Sequence, residues 1–128
     1  MKYLITAEQY RRVSQSAFTG LAPIVDVIVR CPRSQREIGP IAGLLDSGAE
    51  DTLVYKRDTP IQPHEVDHLP QTGQIVLEFE IAGEVYEIPC YYGNHPYAGT
   101  EGMLVGQDLL RNWRVTLNGP KGLLDVEQ

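Results

Sequence analysis

Ile38-Gly39-Pro40-Ile41-Ala42-Gly43-Leu44-Leu45-Asp46-Ser47-Gly48-Ala49-Glu50-Asp51-Thr52-Leu53-Val54 is the stretch whose reading decides the fold. An apolar run ends on a carboxylate, a hydroxyl and a glycine, and a second apolar run follows. The pattern presents an acid at the end of a buried strand. Asp-Ser-Gly alone is also a good β-turn, because an Asp side chain readily accepts backbone hydrogen bonds. The tripeptide occurs once. That matters, because acid–base chemistry between carboxylates needs two of them: one takes a proton from water and the other gives one.

Outward from this stretch the chain reads as short strands. Ile24 to Val29 is rich in β-branched residues and stops at Cys31-Pro32. Thr52 to Tyr55 is a further strand, closed by Asp58-Thr59-Pro60. Ile75 to Ile81 and Glu84 to Ile88 alternate apolar and polar residues around Ala82-Gly83, the pattern of a hairpin. Met103-Leu104-Val105 ends at Gly106, and Gln107 to Trp113 is helix-like, with Leu109, Leu110 and Trp113 spaced to face a core. Val115 to Leu117 and Leu123 to Val126 flank a glycine- and proline-bearing turn, a second hairpin. Near the N-terminus Leu4-Ile5 suits a strand. Thr6 and Gln9 have capping-box spacing, which predicts a short helix over residues 7–17. The expected fold class is all-β, a mostly antiparallel barrel or sandwich.

The chain has 128 residues, enough for one domain with a real core. Its net charge of -6 leaves no basic stripe for nucleic acid. No apolar run approaches the ~20 residues of a membrane span. Met1 to Glu8 lacks the apolar core of a signal peptide, so a cytoplasmic protein is expected. The two cysteines, Cys31 and Cys90, each end an apolar run and read as small buried thiols rather than a disulfide. His64 and His68 stand four apart with acids between, a spacing that suits zinc on a helix. Pro63 and Pro70 leave little room for that helix, so a solvated loop is the better reading and no metal or other cofactor is expected. Tyr91, Tyr92 and Tyr97 could line a groove or simply pack.

The segment Leu44 to Leu53 resembles the active-site loop of retropepsin-like aspartic proteases, the single-domain relatives of pepsin. These proteases also carry two apolar residues and a glycine, then a short helix, in a strand crossing behind that loop. Here Leu104-Val105-Gly106 precedes Gln107-Asp108-Leu109-Leu110. The resemblance covers roughly residues 22–126. It implies a closed β-barrel with one short helix after the second motif, in a protease domain over residues 22–128 preceded by an N-terminal extension over residues 1–21. It also implies a homodimer acting on peptide or protein substrates.

In that reading Asp46 is the catalytic acid, Ser47, Gly48 and Ala49 support the loop, and Leu104, Val105 and Gly106 brace it from behind. Glu50, Asp51 and Gly73 become candidates for substrate contact, Gly73 because the flap is expected within residues 61–74. Apolar side chains at 44, 53, 103 and 105 would floor the cleft or fill the core beneath it. Glu50 and Gln107 stand where the family usually has Asp and often has Arg. They motivate an alternative: a catalytically silent module of the same fold that dimerises or binds peptides.

Overall fold

In this computed structural model, which describes residues 2–15, 18–95 and 99–128, twelve strands account for most of the chain. The first three are β1 (Tyr3–Gln9), β2 (Arg11–Gln15) and β3 (Phe18–Ala22). Six strands form the barrel wall: β4 (Ile24–Arg30), β5 (Glu37–Leu45), β6 (Leu53–Tyr55), β8 (Gln74–Ile81), β9 (Glu84–Gly93) and β10 (Met103–Val105). They follow one another in the order β4-β5-β10-β6-β9-β8, and β8 pairs back onto β4, closing the ring. The two-residue β7 (His68–Leu69) hangs on the edge of β8. The only α-helix among the described residues is α1 (Gln107–Leu110), with a single 3-10 turn at Pro63–Glu65; β11 (Arg114–Asn118) and β12 (Leu123–Glu127) follow α1. The chain is an all-β, closed retropepsin-like barrel with one short helix.

Period-two burial explains the wall. Val25, Val27 and Val29 of β4 are at most 1% exposed, and Leu77, Phe79 and Ile81 of β8 face the same core. Each such side chain stabilises the fold by about 1.5–3 kcal/mol relative to exposure. Glu78 and Glu80 alternate with them on the outer face, where Arg30 stands within 4.0 Å of both. Ala82 and Gly83 take positive φ of 51° and 83°, the mirror-image turn that matches strand twist in a two-residue hairpin. Met103 and Val105 are fully buried and belong to the core, whereas Leu44 and Leu53 are half-buried.

The helix expected over residues 7–17 is replaced by β1 and β2 as far as Gln15; Ser16 and Ala17 lie outside the described residues. β1 pairs antiparallel with β12, from Tyr3 opposite Glu127 to Gln9 opposite Leu123. Ala7 turns to a φ of 49°, which a helix cannot hold. Helix propensity is worth only tenths of a kcal/mol per residue, and sheet pairing outweighs it.

Both cysteines are free and buried, and burial pushes each thiol above its usual pKa. His68 spends a ring nitrogen on the Pro63 carbonyl at 2.8 Å. The Tyr92 hydroxyl donates to Thr59 O and accepts from Ile61 N–H, so this tyrosine braces a loop; Tyr97 is outside the described residues. No helix among the described residues is long and apolar enough to cross a membrane.

Candidate active site

Asp46 emerges where β5 ends. Its N–H donates to Val105 O at 3.0 Å, so the loop starts pinned to the parallel neighbour β10, in which Leu104 sits beside Leu44 and Val105 beside Leu45. Asp46 Oδ1 accepts the Gly48 N–H at 2.9 Å, and Ala49 N–H donates to Asp46 O at 3.2 Å. The side chain thus closes its own turn, as Asp does at loop entries. Asp46 is half-buried, while Ser47 and Gly48 are exposed.

The second motif stitches the rest of the loop. Gln107 N–H donates to Ala49 O at 2.8 Å and Asp108 N–H to Glu50 O at 3.2 Å. The Gln107 side-chain amide donates to Ser47 O at 2.6 Å. Gly106 has to be glycine: a Cβ there would lie 2.6 Å from the Asp51 carbonyl carbon. The structure therefore brings Asp46, Ser47, Gly48, Ala49, Glu50 and Asp51 together with Val105 and Gly106, with Leu104 one strand residue behind.

The Ser47 hydroxyl makes no hydrogen bond among the described residues; this residue is held through its carbonyl. The neutral Gln107 side chain reaches Ser47 O, and no ion pair joins Glu50 to a cation among the described residues. Arg111 Nε donates instead to Gln107 O at 3.3 Å.

Gly73 sits elsewhere, at φ 75° in the turn between β7 and β8. That hairpin has two rungs, His68 opposite Ile75 and Leu69 opposite Gln74, and Gly73 N–H closes it onto Leu69 O at 2.8 Å. Gln74 lines one groove with Asp51, which places the turn beside that groove and outside the hydrogen bonds of the Asp46 loop.

Sequence reasoning missed Thr52 and Asp108. Asp108 accepts the Thr52 N–H at 2.9 Å and the Thr52 hydroxyl at 2.6 Å, and that hydroxyl accepts the Gly106 N–H at 3.1 Å. A polar residue opening a buried strand was the available signal for Thr52; nothing local pointed to its partner. Among the described residues no cluster of three or more His, Cys, Asp or Glu side chains could hold a metal.

No family model and no curated protein matches the sequence. Among solved structures, the chain is similar to the crystal structure of the retroviral protease-like domain of Ddi1 from Leishmania major. The TM-score is 0.51 at 14% identity, over 87% of this chain and 96% of that one. At that identity the likeness speaks for the fold, and the fold is the retropepsin-like barrel already traced through its strands.

Proposed function

We propose that this chain is an aspartic endopeptidase that works as a homodimer, with Asp46 of each copy forming the catalytic pair. The observation that carries the reading is the loop of residues 46–52, held against 105–108 by backbone and side-chain hydrogen bonds along its length. Such bracing is what a catalytic carboxylate needs, because its geometry has to be set before substrate arrives.

One carboxylate per chain leaves the chemistry incomplete, and the surface beside the loop supports a second copy. Leu45, Leu110, Trp113, Val115 and Leu117 line an apolar hollow of about 280 Å3 that opens at Ser47. Leu117 is 53% exposed, and β11 has no strand on its outer edge among the described residues. In this reading the second copy covers the hollow about a two-fold axis and the two Asp46 loops meet across it, an isologous contact. Two carboxylates at close range cannot both ionise. The ionised one takes a proton from water as it attacks the scissile carbonyl; the protonated one donates to the carbonyl oxygen.

The test is cleavage of a mixed peptide library by purified protein from acid to neutral pH. Asp46→Asn is expected to abolish it; cleavage that survives sinks the mechanism. A silent peptide-binding module is the second reading, motivated by Glu50 and Gln107. Peptide binding without turnover by the native chain favours it. That Gln107 still clasps the loop, through Ser47 O, weighs toward the enzyme.

A further inference from the structure

A groove of about 560 Å3 lies outside the Asp46 loop and touches it at Asp51. Its one wall is the stretch 85–89 of β9, and its other wall is Asp108, Arg111 and Asn112 at and after α1. β9 is paired with β8 along its length, but on its other side the short β6 reaches only Tyr91, Tyr92 and Gly93. Among the described residues, β9 before Tyr91 therefore has one free edge, and that edge faces the groove.

The orientation of its backbone follows from the antiparallel ladder, in which successive residues direct their N–H and C=O groups to opposite sides. Tyr91 N–H donates away from β8, to Thr52 O at 3.0 Å. On the other flank of the pair, Val76, opposite Pro89, donates its N–H away from β9 to Asp67 O at 3.0 Å. Both place the outward positions of β9 at Val85, Glu87 and Pro89. Two donors (Val85 and Glu87 N–H) and three carbonyls thus line the groove with no partner among the described residues, over about 13 Å of strand. Val85 is 48% exposed. A row of unpaired strand groups is a template for another strand.

The charge around this edge is one-sided. Asp51, Glu87 and Asp108 line the groove against the single guanidinium of Arg111, and no other carboxylate, lysine, arginine or histidine among the described residues lines it. Both Asp108 oxygens accept hydrogen bonds from Thr52, which leaves its charge unneutralised.

We propose that this groove binds an extended, lysine- or arginine-bearing peptide segment, which adds as a strand to the free edge of β9. Main-chain hydrogen bonds to Val85 and Glu87 supply the docking, and the carboxylates select basic side chains. Pro89 has no N–H, so pairing weakens at that end and the register is set from Val85 and Glu87. The site is separate from the Asp46 chemistry and stands whether or not the chain turns over a substrate.

The experiment uses the full chain, with Asp46→Asn as background so that turnover cannot consume the probe. The probes are capped heptapeptides alternating Lys with Val or Glu with Val. Fluorescence anisotropy is expected to show at least tenfold tighter binding of the lysine peptide, weakening as salt is added. Hydrogen exchange is expected to slow at the Val85 and Glu87 amides. Glu87→Pro deletes an outward N–H, as Pro89 already does naturally on this edge, and should weaken binding at least tenfold. Glu87→Lys, which leaves every backbone group in place, should weaken it severalfold and covers the case in which the proline variant misfolds. Equal affinity for the two peptides overturns the proposal. So does protection that spares Val85 and Glu87, or self-association through β9 that excludes the lysine peptide.

Discussion

Thr52 and Asp108 meet through two hydrogen bonds across 56 residues of chain, the Thr52 hydroxyl donating at 2.6 Å and its N–H at 2.9 Å. Thr52 is fully buried, and its hydroxyl also accepts Gly106 N–H. One side chain thus ties the end of the Asp46 loop to Gly106 and Asp108, the first and third residues after β10. Thr52→Val keeps the shape but orphans the Gly106 donor and deletes one of the two hydrogen bonds on Asp108 Oδ1, which still accepts the Leu109 N–H at 2.8 Å. A loss of about 1–3 kcal/mol is expected from urea denaturation. A change below about 0.5 kcal/mol, the scale of a neutral surface substitution, would mean the junction contributes nothing.

Gly106 tests the same junction by steric means. An added Cβ would meet the Asp51 carbonyl oxygen at 2.7 Å and Thr52 N at 2.9 Å, all rigid backbone. Gly106→Ala is expected to cost about 1–3 kcal/mol, the usual range for overpacking. Gly93→Ala is the control, since nothing lies within 4 Å of its Cβ position. Equal unfolding midpoints for the two variants would contradict the close approach.

Glu65 couples stability to acid. Arg36, above all, with the Gln62 N–H and the Ser34 hydroxyl, holds its carboxyl at about 2, below the ordinary 4.5. A depressed folded-state value means the stabilisation is fully present above about pH 4.5 and is lost as pH falls toward about 2. Denaturation of the native chain and of Glu65→Gln across this window should show the two curves converging at the acid end. Parallel curves would remove Glu65 as the source.

Leu117 tests the second copy. Placing a charge in the apolar hollow beside Ser47, as in Leu117→Lys, is expected to shift the chain to monomer in analytical ultracentrifugation and to abolish cleavage. The circular dichroism spectrum and thermal midpoint should stay close to native, because Leu117 is half exposed already. A monomeric native chain that still cleaves would exclude the shared pair.

Much of this architecture is legible along the chain. The alternation of Leu77, Phe79 and Ile81 with Glu78 and Glu80 writes a half-buried strand locally, since side chains two apart share a face. Ala82-Gly83 writes its own turn, and Leu104-Val105-Gly106 marks the strand behind the loop. The N-terminal segment misleads for the opposite reason. Thr6, Gln9 and the following helix formers carry a weak local preference, and the pairing of Ile5 with Val126 overrides it from the far end of the chain.

The resemblance carried by Asp46-Ser47-Gly48 and Leu104-Val105-Gly106 implied the closed barrel and the acid at its loop, and the strands themselves were legible because strand periodicity and turn chemistry are properties of neighbouring residues. The clasp of Gln107 on Ser47, the bridge between Thr52 and Asp108, and the free edge of β9 came only from the folded chain. Each depends on which distant segments share a barrel wall and where a short neighbour ends, and hydrogen-bond partners more than fifty residues apart leave no periodic trace in the residues between them.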